Sequence, residues 1–283
     1  MREESRRTVP WGLYLTVIKA VFRRDLLVFL RYPGNAIFSI IDPFVWMLPV
    51  VFMARAFSTG GRAVGFQAYS GTSDFIAFWI VGGLVGQYVG SVAWGMGFSL
   101  KNEMSNGVIE TNWLAPVPPV VILLGRSLWS LTLTTLYGIV GLSIAWAAFH
   151  FSFQGQVLPA VLALIPLLIG LYGFGFGLAA VVLLSNNANN IIDMANFFIQ
   201  MLSGQQFPVQ VLPRLLFGLS LAVPVTYGID VIRGFVLGTR TLLPVNLEVT
   251  ILLAVMIVFV SAGYLVFRRV ERIVRTAGNL GFH

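Results

Sequence analysis

Cysteine is absent from this 283-residue chain, histidine occurs twice (His150 and His283) and lysine twice (Lys19 and Lys101). Each scarcity closes off a class of chemistry. Without cysteine there is no disulfide and no thiolate nucleophile. Two histidines leave little for a metal centre or a histidine-based catalytic site. Neither lysine follows a glycine, so no G-x-x-x-x-G-K-[ST] phosphate loop exists, and any role driven by ATP needs an engine on another chain. Charge is sparse as well: 10% of residues are Asp, Glu, Lys or Arg, where a soluble domain carries about 25%. The apolar run Val9 to Phe22 is interrupted by Lys19 and followed by Arg23 and Arg24. No small-residue cleavage site comes soon after it, so it does not read as a signal peptide. No N-x-[ST] acceptor occurs.

What is present is apolar. Hydrophobic residues make up 57% of the chain and the mean hydropathy is +0.86. Runs of about 20 apolar residues read as transmembrane helices, because a helix rises about 1.5 Å per residue and the hydrocarbon core is about 30 Å thick. The expectation is an all-α polytopic membrane protein, a single domain over 1–283, with a six-span bundle at 36–267. The spans fall at about 36–57, 75–98, 118–149, 157–184, 190–206 and 244–267. The fifth is short and polar, with Asp193, Asn196 and Gln200. It runs into a proline-punctuated outer segment, 207–243, too broken to span and too apolar for a free loop. Two short re-entrant helices, about 211–221 and 224–238, are expected there, shielded from lipid by protein or a water-filled cavity.

Six spans put both termini on one side. With the termini inside, 13 of the 18 Lys and Arg residues are cytoplasmic, in accord with the positive-inside rule. The net charge of +7 and pI near 10.1 then reflect contact with anionic lipid headgroups at the chain ends rather than nucleic acid.

Before the first span, Leu15, Ile18, Phe22, Leu26 and Phe29 recur at helical spacing with Lys19, Arg23 and Arg31 on other faces. This predicts an amphipathic interface helix over 11–32, ended by Tyr32-Pro33-Gly34-Asn35. Between spans two and three, the hairpin 100–115 places Glu103 and Glu110 seven residues apart, on one face of a short helix that Pro116, Pro118 and Pro119 stop. A helix held across the ends of two spans is a lever, although an ordinary solvated loop fits the same spacing. In span two, Gly82-x-x-x-Gly86-x-x-x-Gly90 forms a groove for close helix approach, within one subunit or between two. Asp42, Asp193, Arg126, Asp74 and Glu248 all fall near span ends, so no charge stands clearly at the midplane. Asn196, Phe197, Gln200, Met201 and Gln205 follow one another along span five, where amides beside aromatic and thioether groups suit an amphiphile.

Several of these residues together resemble the ABC-2 type permease family. They are Glu103-x-x-x-Gly107-x-x-Glu110 followed by Leu114-Ala115-Pro116 and Leu124-Gly125-Arg126; Arg31-Tyr32-Pro33 with Pro43; and Phe207-Pro208, Leu212-Pro213, Val223-Pro224-Val225-Thr226-Tyr227 and Ile232-Arg233-Gly234. The resemblance runs from about residue 12 to 270. It implies a six-helix half-transporter that pairs with a second permease copy, identical or not, above separate ABC ATPase subunits. Those partners would carry ATP and Mg, with no cofactor on this chain. By the same resemblance Glu103, Gly107 and Glu110 form a coupling helix that docks the ATPase together with Arg23, Arg24 and Arg31, and Glu103 is expected to pair with one of those arginines. Span five would face the translocation path through Asn196, Phe197, Gln200 and Met201, opposite Phe78, Trp79 and Gln87 of span two. Phe207, Pro208 and Pro224 would form an outer gate. The apolar outer segment looks like the drug- or antibiotic-resistance branch, so the expected cargo is a hydrophobic or amphipathic molecule (a drug or lipid, then a lipid-linked glycan) exported across a bacterial inner membrane. Two other classes stay open: a stand-alone secondary transporter or channel, and an intramembrane enzyme. The last is poorly served, since Ser203 has no histidine in a facing span.

Overall fold

The long apolar runs can satisfy their backbone groups in lipid only by closing them internally, and they fold accordingly as helices. The computed structural model describes residues 11–32, 64–107, 117–149, 155–185 and 188–277, with isolated positions at 34, 37–38, 41, 45, 48–49, 51–52, 56 and 112. Its helices are α1 (Trp11–Arg31), α2 (Val64–Ser70), α3 (Phe75–Ala93), α4 (Ser99–Ser105), α5 (Pro119–Phe149), α6 (Val157–Leu183), α7 (Ala188–Leu202), α8 (Arg214–Ala222), α9 (Pro224–Leu237) and α10 (Val245–Ala277), with no strand among the described residues.

Four rods are long and apolar enough to cross a membrane: Phe75–Ser105, Pro119–Ala147, Val157–Leu183 and Val245–Val274. They match expected spans two, three, four and six. Expected span one lies almost wholly outside the described residues. Expected span five is the 15-residue α7, about 22 Å at 1.5 Å per residue, which falls short of the hydrocarbon thickness. The proline-punctuated segment gives α8 and α9, close to the bounds expected for the two short helices. They meet at Val223-Pro224 with a bend of 88°, because a proline at the first position of α9 cannot continue the preceding helix.

The interface helix forms as its periodicity predicts. Phe22 and Phe29 meet Trp129 of α5 edge-on, at ring-centroid distances of 5.1 and 5.7 Å. Gly125 lets α5 approach Val21 and the backbone of Ile18. Lys19, Arg23 and Arg24 stay exposed.

The closest crossing in the bundle joins α6 to α10, and glycine makes it possible. A Cβ on Gly173 would stand 2.3 Å from the Phe259 carbonyl oxygen, and one on Gly263 would stand 1.9 Å from the Gly173 oxygen. Backbone cannot yield as a side chain can. Gly173→Ala is therefore expected to cost about 2 kcal/mol or more by overpacking. Gly177→Ala faces open space and is expected to be neutral or to stabilise by up to about 1 kcal/mol through helix propensity. Thermal unfolding of the two variants in the same detergent checks the contrast.

Candidate functional site

The end of the bundle nearest α1 is built around a buried ion pair. Residues 100–105 are not a separate lever. The α3 helix runs through a π-turn at Trp94–Phe98 into α4, so Glu103 sits at the tip of one rod. Its side chain is 4% exposed and its Oε1 lies 2.5 Å from Arg126 Nη2 on α5. The alignment falls short of a hydrogen bond, and the Arg126 Nε finds no acceptor. Arg126 also donates to the carbonyl and hydroxyl of Ser99. The expected pairing of Glu103 with Arg23, Arg24 or Arg31 is thus corrected. Arg24 bonds the adjacent Asp25 at 2.6 Å, and Arg126, whose helix α5 starts beside the end of α4, takes Glu103. The rod stops after Ser105, where Asn106 and Gly107 turn and Gly107 adopts φ +66°. That turn breaks the helical register assumed between Glu103 and Glu110, and Glu110 itself lies outside the described residues.

At the opposite end, α7 stops inside the bundle, and its last carbonyls need donors. Arg233 of α9 serves the carbonyls just past the helix end, at Gly204 and Gln205, and Ser220 serves that of Leu202 within it. Arg233 is 2% exposed and donates to the carbonyls of Gly204 (2.6 Å), Gln205 (2.5 Å) and Phe78 (3.1 Å). Its guanidinium also lies 3.5 Å from the centroid of the Phe78 ring. Ser220 Oγ donates to the Leu202 carbonyl at 2.6 Å. Room for this clamp comes from span two: a Cβ on Gly82 would stand 1.9 Å from Arg233 Nη2, and one on Gly86 would stand 2.1 Å from Cδ of Gln205. The glycine groove therefore serves packing within one chain at Gly82 and Gly86, while nothing lies within 4 Å of a Cβ on Gly90.

Near the clamp, Asp230 accepts from the Leu242 amide at 2.7 Å and Glu248 from the Leu243 amide at 2.9 Å, which fastens the 238–244 connection between α9 and α10. Sequence position alone had hidden Asp230 and Arg233 as site residues; the i, i+3 spacing of two opposite charges in an apolar helix was the available signal.

Between the two ends runs a seam of α3 against α7. Gly97 packs on Ile192, and Asn196 is buried at 7% exposure with its Oδ1 unpartnered. On the Phe75–Ser105 rod, Ser91 and Gly95 face Ser130 of α5, and Val92 and Met96 face Gly175 of α6. This leaves one flank, with Gly83, Gln87, Gly90 and the exposed Trp94, without a covering helix among the described residues. Of the expected path residues, Trp79, Gln87, Gln200 and Met201 are half-buried, and Phe197 is 62% exposed. Phe78 lies instead under Arg233. Of the expected gate residues, Phe207 is half-buried. Pro208 lines a polar cavity of about 10 Å³ beside Asp230 and Arg233, and Pro224 lines an apolar one of about 210 Å³ between α6 and α10.

None of the curated proteins matches this chain. A family model described as ABC-2 type transporter matches residues 16–237, which takes in the interface helix, the Glu103–Arg126 contact, the α3–α7 seam and the bent pair α8–α9. With most of the chain matched and four helices able to cross the bilayer, the protein is a multi-pass membrane component of an ABC-type transporter and belongs to the ABC-2 type transporter family.

Proposed function

We propose that this chain is the permease subunit of an ABC exporter. It moves a hydrophobic or amphipathic molecule outward across a bacterial inner membrane, driven by ATP and Mg on separate ATPase subunits. Two permease copies pair, each with six spans and cytoplasmic termini, and the α8–α9 pair re-enters from the outer side.

One observation carries this reading: the Phe75–Ser105 rod connects Glu103 at one end to the seam with α7 further along. A push on its tip by an ATPase docked at the α4 turn and α1 is transmitted to α5 through Arg126. It also reaches the seam, because a helix is stiff along its axis. The π-turn at Trp94–Phe98 gives the rod one place to repack, as such turns often do at functional sites. The chain does no covalent chemistry in this scheme.

The test is co-purification of the tagged protein in mild detergent, with the eluate assayed for ATP hydrolysis. A co-purifying ATPase whose hydrolysis persists while transport falls at least about tenfold in Glu103→Gln supports the exporter. Neutralising Glu103 keeps the side chain's shape and removes its charge contact with Arg126. An eluate without ATPase, from a protein that assembles normally, favours the stand-alone transporter.

A further inference from the structure

Most polar residues of α7 line up. At about 100° per residue, Asn189, Asp193, Asn196 and Gln200 fall within about 60° of one another, a stripe that Ser203 continues just past the helix end, while Asn190 stands apart. Ile192 on one side of the stripe packs on Gly97, whereas Asp193 and Phe197 on the other side are exposed. The stripe thus borders the uncovered flank of α3.

Its charge is one-sided. Asn189 Oδ1 and Asn196 Oδ1 are buried acceptors with no donor, and a lone buried acceptor in a membrane segment is costly unless something donates to it. Asp193 is the one charged residue of α7, and no basic side chain among the described residues pairs with it. The only basic residue of the facing rod is Lys101, at its α4 end. Phe197 and Trp94, both exposed, add ring faces, which attract cations.

We infer that the seam selects a cationic amphiphile and disfavours an anionic one, so that a lipid-linked phosphate is excluded as cargo. This rests on the reading of the α3–α7 seam as the translocation path. The stripe's oxygens turn the negative ends of their dipoles to the cationic head, Asp193 balances its charge, and the aromatic rings cover its apolar part. An anionic headgroup could accept from the stripe's amide N–H groups but would meet the Asp193 carboxylate, with no basic side chain in the stripe to balance its charge.

The test uses two probes of matched size and opposite charge, tetraphenylphosphonium and tetraphenylborate. Binding to the purified chain in nanodiscs is read by tryptophan fluorescence, with empty nanodiscs subtracted. The expected result is at least about tenfold tighter binding of the cation, equivalent to about 1.4 kcal/mol. Asp193→Asn should erase most of that preference and Asp193→Glu should restore it, with unfolding temperatures unchanged at this exposed position. Equal or tighter binding of the borate, or a preference untouched by Asp193→Asn, overturns the inference. The two readings fail separately: an ATPase that co-purifies with a borate-preferring chain leaves the exporter standing, and a missing ATPase removes the exporter whichever probe binds.

Discussion

Arg233→Ala is expected to be the most damaging single substitution in the described part of the chain. It deletes the donors for the carbonyls of Gly204 and Gln205, and a further bond to the Phe78 carbonyl, which the α3 ladder also serves. A buried acceptor left unpaired costs about 1–3 kcal/mol. With two acceptors stranded, about 2–6 kcal/mol is lost. That is a large share of the 5–15 kcal/mol typical of a folded domain. A positive charge at the C-terminal end of α7 also complements the helix dipole, and the cation–aromatic contact with Phe78 goes too. The measurable outcome is a fall in unfolding temperature together with reduced yield of monodisperse protein in detergent. Arg233→Lys should recover only part of the loss, because one ammonium cannot reproduce the fork that reaches carbonyls on two separate segments. If Arg233→Ala melts like the parent, α7 is not held by this clamp.

The second large effect is expected at Glu103. Glu103→Ala leaves the Arg126 guanidinium, whose side chain is 14% exposed, without its counter-charge. Removing one partner of a buried pair costs about 3–5 kcal/mol, and the lower part of that range applies here since Ser99 still accepts from Arg126. Arg126→Met should cost a similar amount by stranding Glu103. The double variant, Glu103→Ala with Arg126→Met, should be less damaged than the sum of the two by at least about 1 kcal/mol, because neither charge is then left alone. Additive losses would show that each side chain acts apart from the other. This cycle also separates two roles of one residue. Stability lost in Glu103→Ala and recovered in the double variant belongs to the lock between α4 and α5. Transport lost in the double variant while stability is recovered belongs to the coupling proposed for the rod.

The contrast between these two sites shows how far residue order alone can carry an interpretation. Glu103 stands out by its place in a polar hairpin, and the structure replaces its expected partner with Arg126. Three arginines on α1 looked equally available because a charge near a membrane surface can reach many others. Only the packing of α4 beside the start of α5 decides for Arg126. Arg233 stands in the proline-punctuated outer segment, a position that says nothing of what its side chain meets. What changes its status is that α7 ends within the bundle, so carbonyls from distant positions converge where the α9 arginine stands.

The sequence by itself determined the all-helical membrane class, since apolar runs of span length have one way to satisfy their backbone in lipid. It determined the α1 face that meets α5, because the 3.6-residue period lies within one segment, and the break at Val223-Pro224, because proline acts on its own helix. Tertiary structure alone decided the rest. It turned residues 100–105 into the tip of a long rod, since helix continuation through a π-turn depends on packing against neighbours. It assigned Gly82 and Gly86 to contacts inside the chain, since a glycine groove is the same sequence whichever surface fills it. It also placed Phe78 under Arg233. Local signals are carried by neighbours along the chain, whereas the clamp, the ion pair and the seam are contacts between residues far apart in sequence, and these exist only once the helices have packed.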